Sequence, residues 1–408
     1  MNSGQARPSQ APRTLAVLEW NRYGHHQAYL RLYVRALLGL GFRLAVLAHG
    51  ADDVRVWVRE LPEEWRRRLV LRELPRSDFS LRSTRWNQAW RRWRHGRGVA
   101  RLLASAEAEL GARCEQVFFS CIYEFETSLI GLLADRLRRP WAGLYLHASA
   151  YRQPGRPVEG ANRAYPIRRL WGRPGFFGLL VLDEEMAPVI ASETGTRVMA
   201  APDLADPERG GDAALLARVR AFRAGRPLIG SSGHLLPSKG VAVLAEAALA
   251  PGASGLAFLF AGEVAWARFS PAEAEVLRRA AAGGERVLFL DQRIPDEATY
   301  NDLVAECDVL VAAYRDFPHS SNTLAKAALF EKPVVVSDGH LMAKRVREYR
   351  LGAVVPQDDP ARLLESVRAL AEDPRGWAEV HGPRWREYRE AHSEVRLAEA
   401  LRELLGPA

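Results

Sequence analysis

Lysine is nearly missing from this chain. Of 57 basic residues only four are lysine, Lys239, Lys326, Lys332 and Lys344. Arginine fills the other positions, so each place that keeps a lysine invites inspection. Cysteine is scarce too. Cys114, Cys121 and Cys307 show no metal-ligand spacing, which argues against a disulfide scaffold or a zinc module and fits a reduced, cytoplasmic compartment. No uninterrupted apolar run is long enough to span a bilayer. Residues 1–13 lack the apolar stretch of a secretory signal and read as a disordered lead-in.

What is present fits a globular protein of two or three domains: 408 residues, 48% apolar and 26% charged. The net charge of +8 is unevenly placed. Residues 1–200 hold 31 arginines against 19 acidic residues, while residues 201–408 hold 26 basic and 30 acidic residues. A basic first half suggests that it faces an anionic surface or acceptor.

The chain opens with an apolar strand, "TLAVLEW", a short loop, "NRYGHH", and the helical pattern "QAYLRLYVRALLGLG". "FRLAVLAHG" is the next strand, and this β–loop–α–β start predicts a parallel, doubly wound sheet. "CEQVFFSCIY", "WAGLYLH" and "FGLLVLD" continue it. A Pro/Asp-rich connector lies near residues 200–212. A second series then begins with "RPLIGSSG" and runs through "GLAFLFAGE", "RVLFLDQR", "CDVLVAAYRD", "EKPVVVSD" and "LGAVVPQ". "HSEVRLAEALRELLG" reads as a closing amphipathic helix.

Two loops stand out in the second series. "GSSGHLLPSKG" places a Gly-rich turn and Lys239 before a helix, a context in which backbone N–H groups and a point charge hold phosphate. Its spacing is not that of a P-loop. "FPHSSNTLAKAALF" sets Ser320, Ser321, Asn322 and Thr323 just before a helix that carries Lys326. Such residues cap a helix, and the same helix start attracts an anion. In the first series, Gly24, His25 and His26 occupy the first β–α loop, and His147 ends an apolar strand. Glu124 and Glu126 in "YEFET" follow another strand and read as solvated loop acids or, less simply, as partners of acceptor hydroxyls.

From Gly230 to Asp338 and on through "LGAVVPQDD", the sequence resembles the donor-binding half of retaining glycosyltransferases of family 4, which have the GT-B fold. The resemblance rests on the loop ending "SKG", on "LAFLFAGE", "RVLFLDQRIPDEATYNDLVAECDVLV", "AKAALFEKPVVVSD" and "RVREYRLGAVVPQDDPARLLESVRALAEDP". It implies two Rossmann-like α/β domains facing a cleft. The expected divisions are an acceptor-side domain over residues 14–200, a nucleotide-sugar domain over 201–383, and a C-terminal helix over 384–408 packing back toward the first. The resemblance further implies a nucleotide-diphosphate sugar as co-substrate, no other cofactor and no metal.

Residue by residue, it puts His147 beside the reacting centre. Gly24, His234, Lys239, Ser320, Ser321, Asn322, Thr323 and Lys326 fall on the donor phosphates, and Gln292 and Arg293 near the nucleotide base. His25, His26 and Glu124 fall on the acceptor side. Three positions depart from the pattern. His234 stands where the family usually has arginine, and Pro318 and Lys326 stand where it has a pair of glutamates. A lysine cannot accept a hydrogen bond from a ribose hydroxyl, so Lys326 is expected to face the donor and pair with phosphate.

The last feature is "SLRSTRWNQAWRRWRHGRGVARLLASA". It has seven arginines and no acid, and Trp86, Trp90 and Trp93 share one helix face. That pattern suits an anionic membrane surface over residues 82–101, against the plainer reading of a Trp stripe packed into a core. No nucleic-acid module accompanies it. The expected protein is a cytoplasmic glycosyltransferase, peripheral on the inner face of the membrane. It would move a sugar to a hydroxyl of a glycan or lipid-linked acceptor in cell-surface glycan or glycolipid assembly. A catalytically weakened homologue serving as a partner subunit, or a nucleotide-sugar epimerase, are the alternatives.

Overall fold

The computed structural model describes residues 12–21, 26–74, 85–123, 126–153 and 166–407, with only the backbone over 85–93. The chain divides into two compact units, Met1–Pro202 with Glu394–Ala408, and Asp203–Ser393.

The first unit is a seven-stranded sheet: β1 (Thr14–Glu19), β2 (Arg43–Ala48), β3 (Leu69–Glu73), β4 (Gln116–Ile122), β5 (Trp141–Tyr145), β6 (Phe176–Val181) and β7 (Arg197–Ala200). Their order is β3-β2-β1-β4-β5-β6-β7, and every pairing is parallel. The second unit holds β8 (Leu228–Ser232), β9 (Ala257–Ala261), β10 (Val287–Leu290), β11 (Val309–Ala312), β12 (Val334–Ser337) and β13 (Gly352–Val355). They are again all parallel, in the order β10-β9-β8-β11-β12-β13.

The strands read as continuous apolar runs because both faces are covered by helices. In the second unit, Ile229, Phe258, Phe260, Val309, Val311 and Val335 fill the core on one face. Their neighbours in sequence, Leu228, Leu259, Leu310, Ala312, Val334 and Val336, fill the other. That is the alternation a two-residue repeat produces.

In each sheet the strand order reverses direction once, between β1 and β4 in the first unit and between β8 and β11 in the second. Connections leave such a pair toward opposite faces, which opens a crevice at the strands' carboxyl ends. The loops after β1, β4, β8 and β11 are therefore the ones that topology brings to a binding position.

The helix Glu394–Leu405 belongs to the first unit, where it packs on the helix His26–Gly39 and on β6 and β7. Arg13 anchors its end by donating from Nη1 to the Leu405 carbonyl at 3.0 Å. Gly178 in β6 makes room for it, since a Cβ there would lie 2.6 Å from Leu404 Cδ1. The helix Trp385–Ala391 stays with the second unit, against the helices Asn322–Leu329 and Leu341–Tyr349. Among the described residues, no helix is long and apolar enough to cross a membrane.

Candidate functional site

At the switch point of the second unit, β8 runs into the loop Gly233–Gly240. Gly240 has φ +65°, and a Cβ on it would lie 1.9 Å from the Ala313 carbonyl oxygen just after β11. Only glycine allows the two loops to meet backbone against backbone. The Arg315 amide donates to the Ser238 carbonyl at 2.8 Å across the same junction. Gly240 also caps the helix Val241–Leu249.

Lys239 is half-buried in this crevice. Its ammonium lies 5.8 Å from the centre of the Tyr314 ring and within 3.3 Å of where a Cβ on Gly233 would be. Among the described residues no carboxylate pairs with it. A half-buried, uncompensated ammonium at a switch point is a place for an anion. His234, by contrast, is exposed on the loop. Tyr300 closes the crevice from a neighbouring helix and donates its hydroxyl hydrogen to the Ser232 carbonyl at 3.2 Å. Burial raises its phenol far above the ordinary range, so it remains a donor.

After β11, the Ser321 hydroxyl caps the helix Asn322–Leu329 by accepting from the Thr323 amide at 3.4 Å. Tyr314 brings its hydroxyl to 3.2 Å from Ser321 Oγ and 3.3 Å from Thr323 Oγ1. The side chains of Ser320 and Asn322 point elsewhere. Ser320 donates to the Asp203 carboxylate and accepts from Arg345 Nη1 at 2.5 Å, within a network in which Arg345 is only 2% exposed. Asn322 donates to the Leu204 carbonyl. These two side chains tie the connector to the helix start. At the helix start itself, the Thr323 amide is taken by Ser321 Oγ and the Leu324 amide by the Ser321 carbonyl at 3.0 Å.

Lys326 is 3% exposed. Its ammonium donates to Glu297 and to Asn301 Oδ1, and sits 4.7 Å from the centre of the Tyr300 ring. Asn301 is fixed in turn by donating to the carbonyls of Asp206 and Glu208 at 2.7 and 2.8 Å. A buried ammonium costs several kcal/mol unless it is paired, and Glu297 supplies the charge here. Pro318 is buried and Asp316 exposed. Gln292 and Arg293 are exposed just past the carboxyl end of β10.

The first unit builds a different cluster at its own switch point. Glu19 ends β1 and is 2% exposed. One carboxylate oxygen accepts from the Asn21 amide at 2.7 Å. The other lies 2.9 Å from the Ser120 hydroxyl and 3.4 Å from His26 Nδ1. The second ring nitrogen of His26 lies 3.0 Å from the Tyr123 hydroxyl, just past β4. Tyr123 meets the His147 ring edge-on at 5.8 Å, just past β5.

Glu126 is not the solvated loop acid that its sequence context suggested. It is 8% exposed, with Oε1 accepting from Asn21 Nδ2 at 3.1 Å and Oε2 buried without a hydrogen bond. Burial pushes its carboxyl up to about 7. The nearby Trp20 indole and Asn21 amide offset part of that rise, while the Glu19 charge adds to it. The Trp20 indole nitrogen is itself buried with no partner in hydrogen-bond geometry, so its help is polarity at a distance. Gly24, His25 and Glu124 lie outside the described residues, as do the side chains of Trp86, Trp90 and Trp93.

Sequence reasoning missed Glu19, Tyr123 and Glu297. Glu19 left one trace, an acid closing an otherwise apolar strand. The pairing of Glu297 with Lys326 spans 29 residues and left none.

Two doubly wound parallel sheets of this kind make up the GT-B architecture. Solved structures share it along nearly the whole chain. Anabaena HepE (Alr3699), solved in complex with UDP and glucose, is 14% identical with a TM-score of 0.67, over 96% of this chain and 100% of that one. A sucrose-phosphate synthase from Thermosynechococcus elongatus is 16% identical with a TM-score of 0.63, over 97% and 100%. A UDP-glucosyltransferase from Polygonum tinctorium is 14% identical with a TM-score of 0.58, over 97% and 98%. Residues 226–373, within the second unit, match the family model described as Glycosyl transferases group 1. No curated protein matches the sequence.

Proposed function

We propose that this protein transfers a sugar from a nucleotide-diphosphate donor to a hydroxyl acceptor. The observation that carries the reading is Lys239. It is a half-buried ammonium without a carboxylate partner among the described residues, at the switch point of the unit whose residues 226–373 match the glycosyl transferases group 1 model. In this reading Lys239 and the positive end of the helix Asn322–Leu329 stabilise charge on the leaving diphosphate. UDP-sugars are the first donors to test, because HepE was solved with UDP and glucose. Retention of anomeric configuration and independence from metal rest on the family resemblance. A thermal-shift panel of nucleotide-diphosphate sugars tests the reading, since a ligand of the native state raises the melting temperature. A panel with no stabilising member counts against it.

One observation favours a second reading, a weakened homologue that binds without turnover. Pro318 offers no carboxylate, and the Lys326 charge is already matched by Glu297. Donor binding without product formation under any acceptor separates the two. On the acceptor side, the basic helix Arg85–Leu110 supports attachment to an anionic membrane surface on the cytoplasmic side and a glycan or lipid-linked acceptor.

A further inference from the structure

The first unit has a concave basic site at the amino-terminal ends of its strands, away from the switch-point loops. β2 begins at Arg43 and β3 at Leu69. Arg66 ends the short helix Glu63–Arg66, and Arg67 and Arg68 turn from it into β3. These four arginines line one cavity of about 630 Å³. The backbone that carries them is tied down. The Arg43 amide donates to the Arg13 carbonyl at 2.9 Å, and the Leu44 amide donates to the Arg68 carbonyl at 2.7 Å. Trp65 seats the short helix, its ring lying 3.8 Å from where a Cβ on Gly39 would be. Carboxylates do not match the charge. Glu63 takes Arg67 as an i,i+4 pair. Glu109, the acid on the cavity wall, is held by Arg72 at 2.5 Å. Arg68 Nε donates only to the Glu64 carbonyl, at 3.4 Å. Among the described residues no carboxylate pairs with Arg43, Arg66 or Arg68. The eleven residues that precede Pro12 on the rim, MNSGQARPSQA, contain no acid.

We propose that this cavity binds a phosphorylated small molecule. A guanidinium presents a planar fork that meets phosphate oxygens two at a time. A phosphate monoester carries nearly two negative charges at neutral pH, and three uncompensated guanidiniums supply the match. The rest of the wall suits an organic body. Leu69 and Val70 are buried, and Pro12 and Leu110 are half-buried. The volume falls in the range of roughly 300–1,000 Å³ that small ligands occupy. β2 and β3 have six and five residues, so the cavity lies about 15–20 Å from the carboxyl ends of the strands. It is therefore a second site in this unit, apart from the β1/β4 crevice, and it stands whether or not the transferase reading does. Bound phosphate relieves the repulsion among adjacent guanidiniums, so the ligand should stabilise the first unit.

The test is calorimetric titration of the full chain with phenyl phosphate at low salt, with benzyl alcohol as the uncharged control. Wild type should bind phenyl phosphate and ignore benzyl alcohol. R43Q/R68Q should weaken binding at least about tenfold, as for lost charge-assisted hydrogen bonds. R101Q/R136Q removes the same net charge from exposed positions outside the cavity and should stay within about twofold. K239A, which removes the cation of the second unit's loop, should also bind as wild type does. If R43Q/R68Q fails to fold, R66Q, at an exposed position, carries the test, with at least about threefold weaker binding expected. No binding in wild type, equal affinity in the cavity variant, an equal loss in R101Q/R136Q, or loss in K239A alone overturns the proposal. Vesicles of phosphatidylcholine with phosphatidic acid then separate the sources of the phosphate. Vesicle binding that is tighter than that of phenyl phosphate and lost in R43Q/R68Q assigns it to a lipid headgroup. Vesicle binding indifferent to R43Q/R68Q, beside the calorimetric loss, assigns it to a soluble ester.

Discussion

Glu126 should make the stability of the first unit depend on pH in the direction opposite to that of an ordinary salt-bridged carboxylate. Its carboxyl titrates near 7 in the fold, chiefly because it is buried, and near 4.5 when exposed. The folded state therefore prefers the protonated form. That preference is fully present below the unfolded value and is lost as pH rises through the folded one. At about 1.4 kcal/mol per pH unit, the loss between pH 5 and pH 8 is about 2–3 kcal/mol. For a unit of this size, that corresponds to a fall of roughly 5–10 °C in melting temperature. Glu126→Gln keeps the shape and removes the titration. The assay is urea or thermal unfolding of wild type and E126Q at pH 5, 6, 7 and 8. Other groups titrate in both proteins and cancel in the difference between them. The wild type should lose 2–3 kcal/mol more than E126Q over that range. Parallel curves would show that Glu126 is hydrated and ionised in the fold, and the buried-acid reasoning would be refuted.

Three further outcomes follow from particular contacts. Gly240→Ala puts a methyl into the Ala313 carbonyl at φ +65°. It should cost at least about 2 kcal/mol in denaturant unfolding, and stability equal to wild type would contradict the backbone contact. Lys326→Met leaves Glu297 without its cation and should destabilise by about 3 kcal/mol, while Lys326→Met with Glu297→Gln recovers much of the loss; additive losses in urea melts would show that the two are not a pair. The helix Arg85–Leu110 should co-sediment with anionic vesicles at low salt, and changing Arg91, Arg92 and Arg94 to glutamine should remove about 1 kcal/mol per engaged arginine; indifference of the wild type to such vesicles would leave the helix a structural one.

The fold was largely legible because strands buried on both faces must be continuous apolar runs. "TLAVLEW" became β1, Thr14–Glu19, and "EKPVVVSD" holds β12, Val334–Ser337. The loops of interest were legible because glycine marks where backbones must meet, as Gly240 does. Side-chain partnerships across distant segments were not. The hydroxyl of Ser320 looked available beside a helix start, yet it is engaged by Asp203, more than a hundred residues earlier, and by Arg345. Lys326 looked like a cation awaiting phosphate, and Glu297 already holds it. Glu126 looked solvated because it follows a strand in a polar stretch, and only the packing around Trp20 and Asn21 reveals its burial. Spacing along the chain reports on one element at a time, and these pairings belong to several.

The central claim, that the second unit binds a nucleotide-diphosphate sugar through Lys239, is tested most directly by calorimetric titration. The best-stabilising donor from the panel is titrated into wild type and into Lys239→Ala at the same salt. One charge-assisted hydrogen bond is worth about 1.5–3 kcal/mol, so K239A should bind roughly 10–150-fold more weakly while its unfolding curve stays that of the wild type. Equal affinity in the two proteins would take Lys239 out of the site and contradict the account.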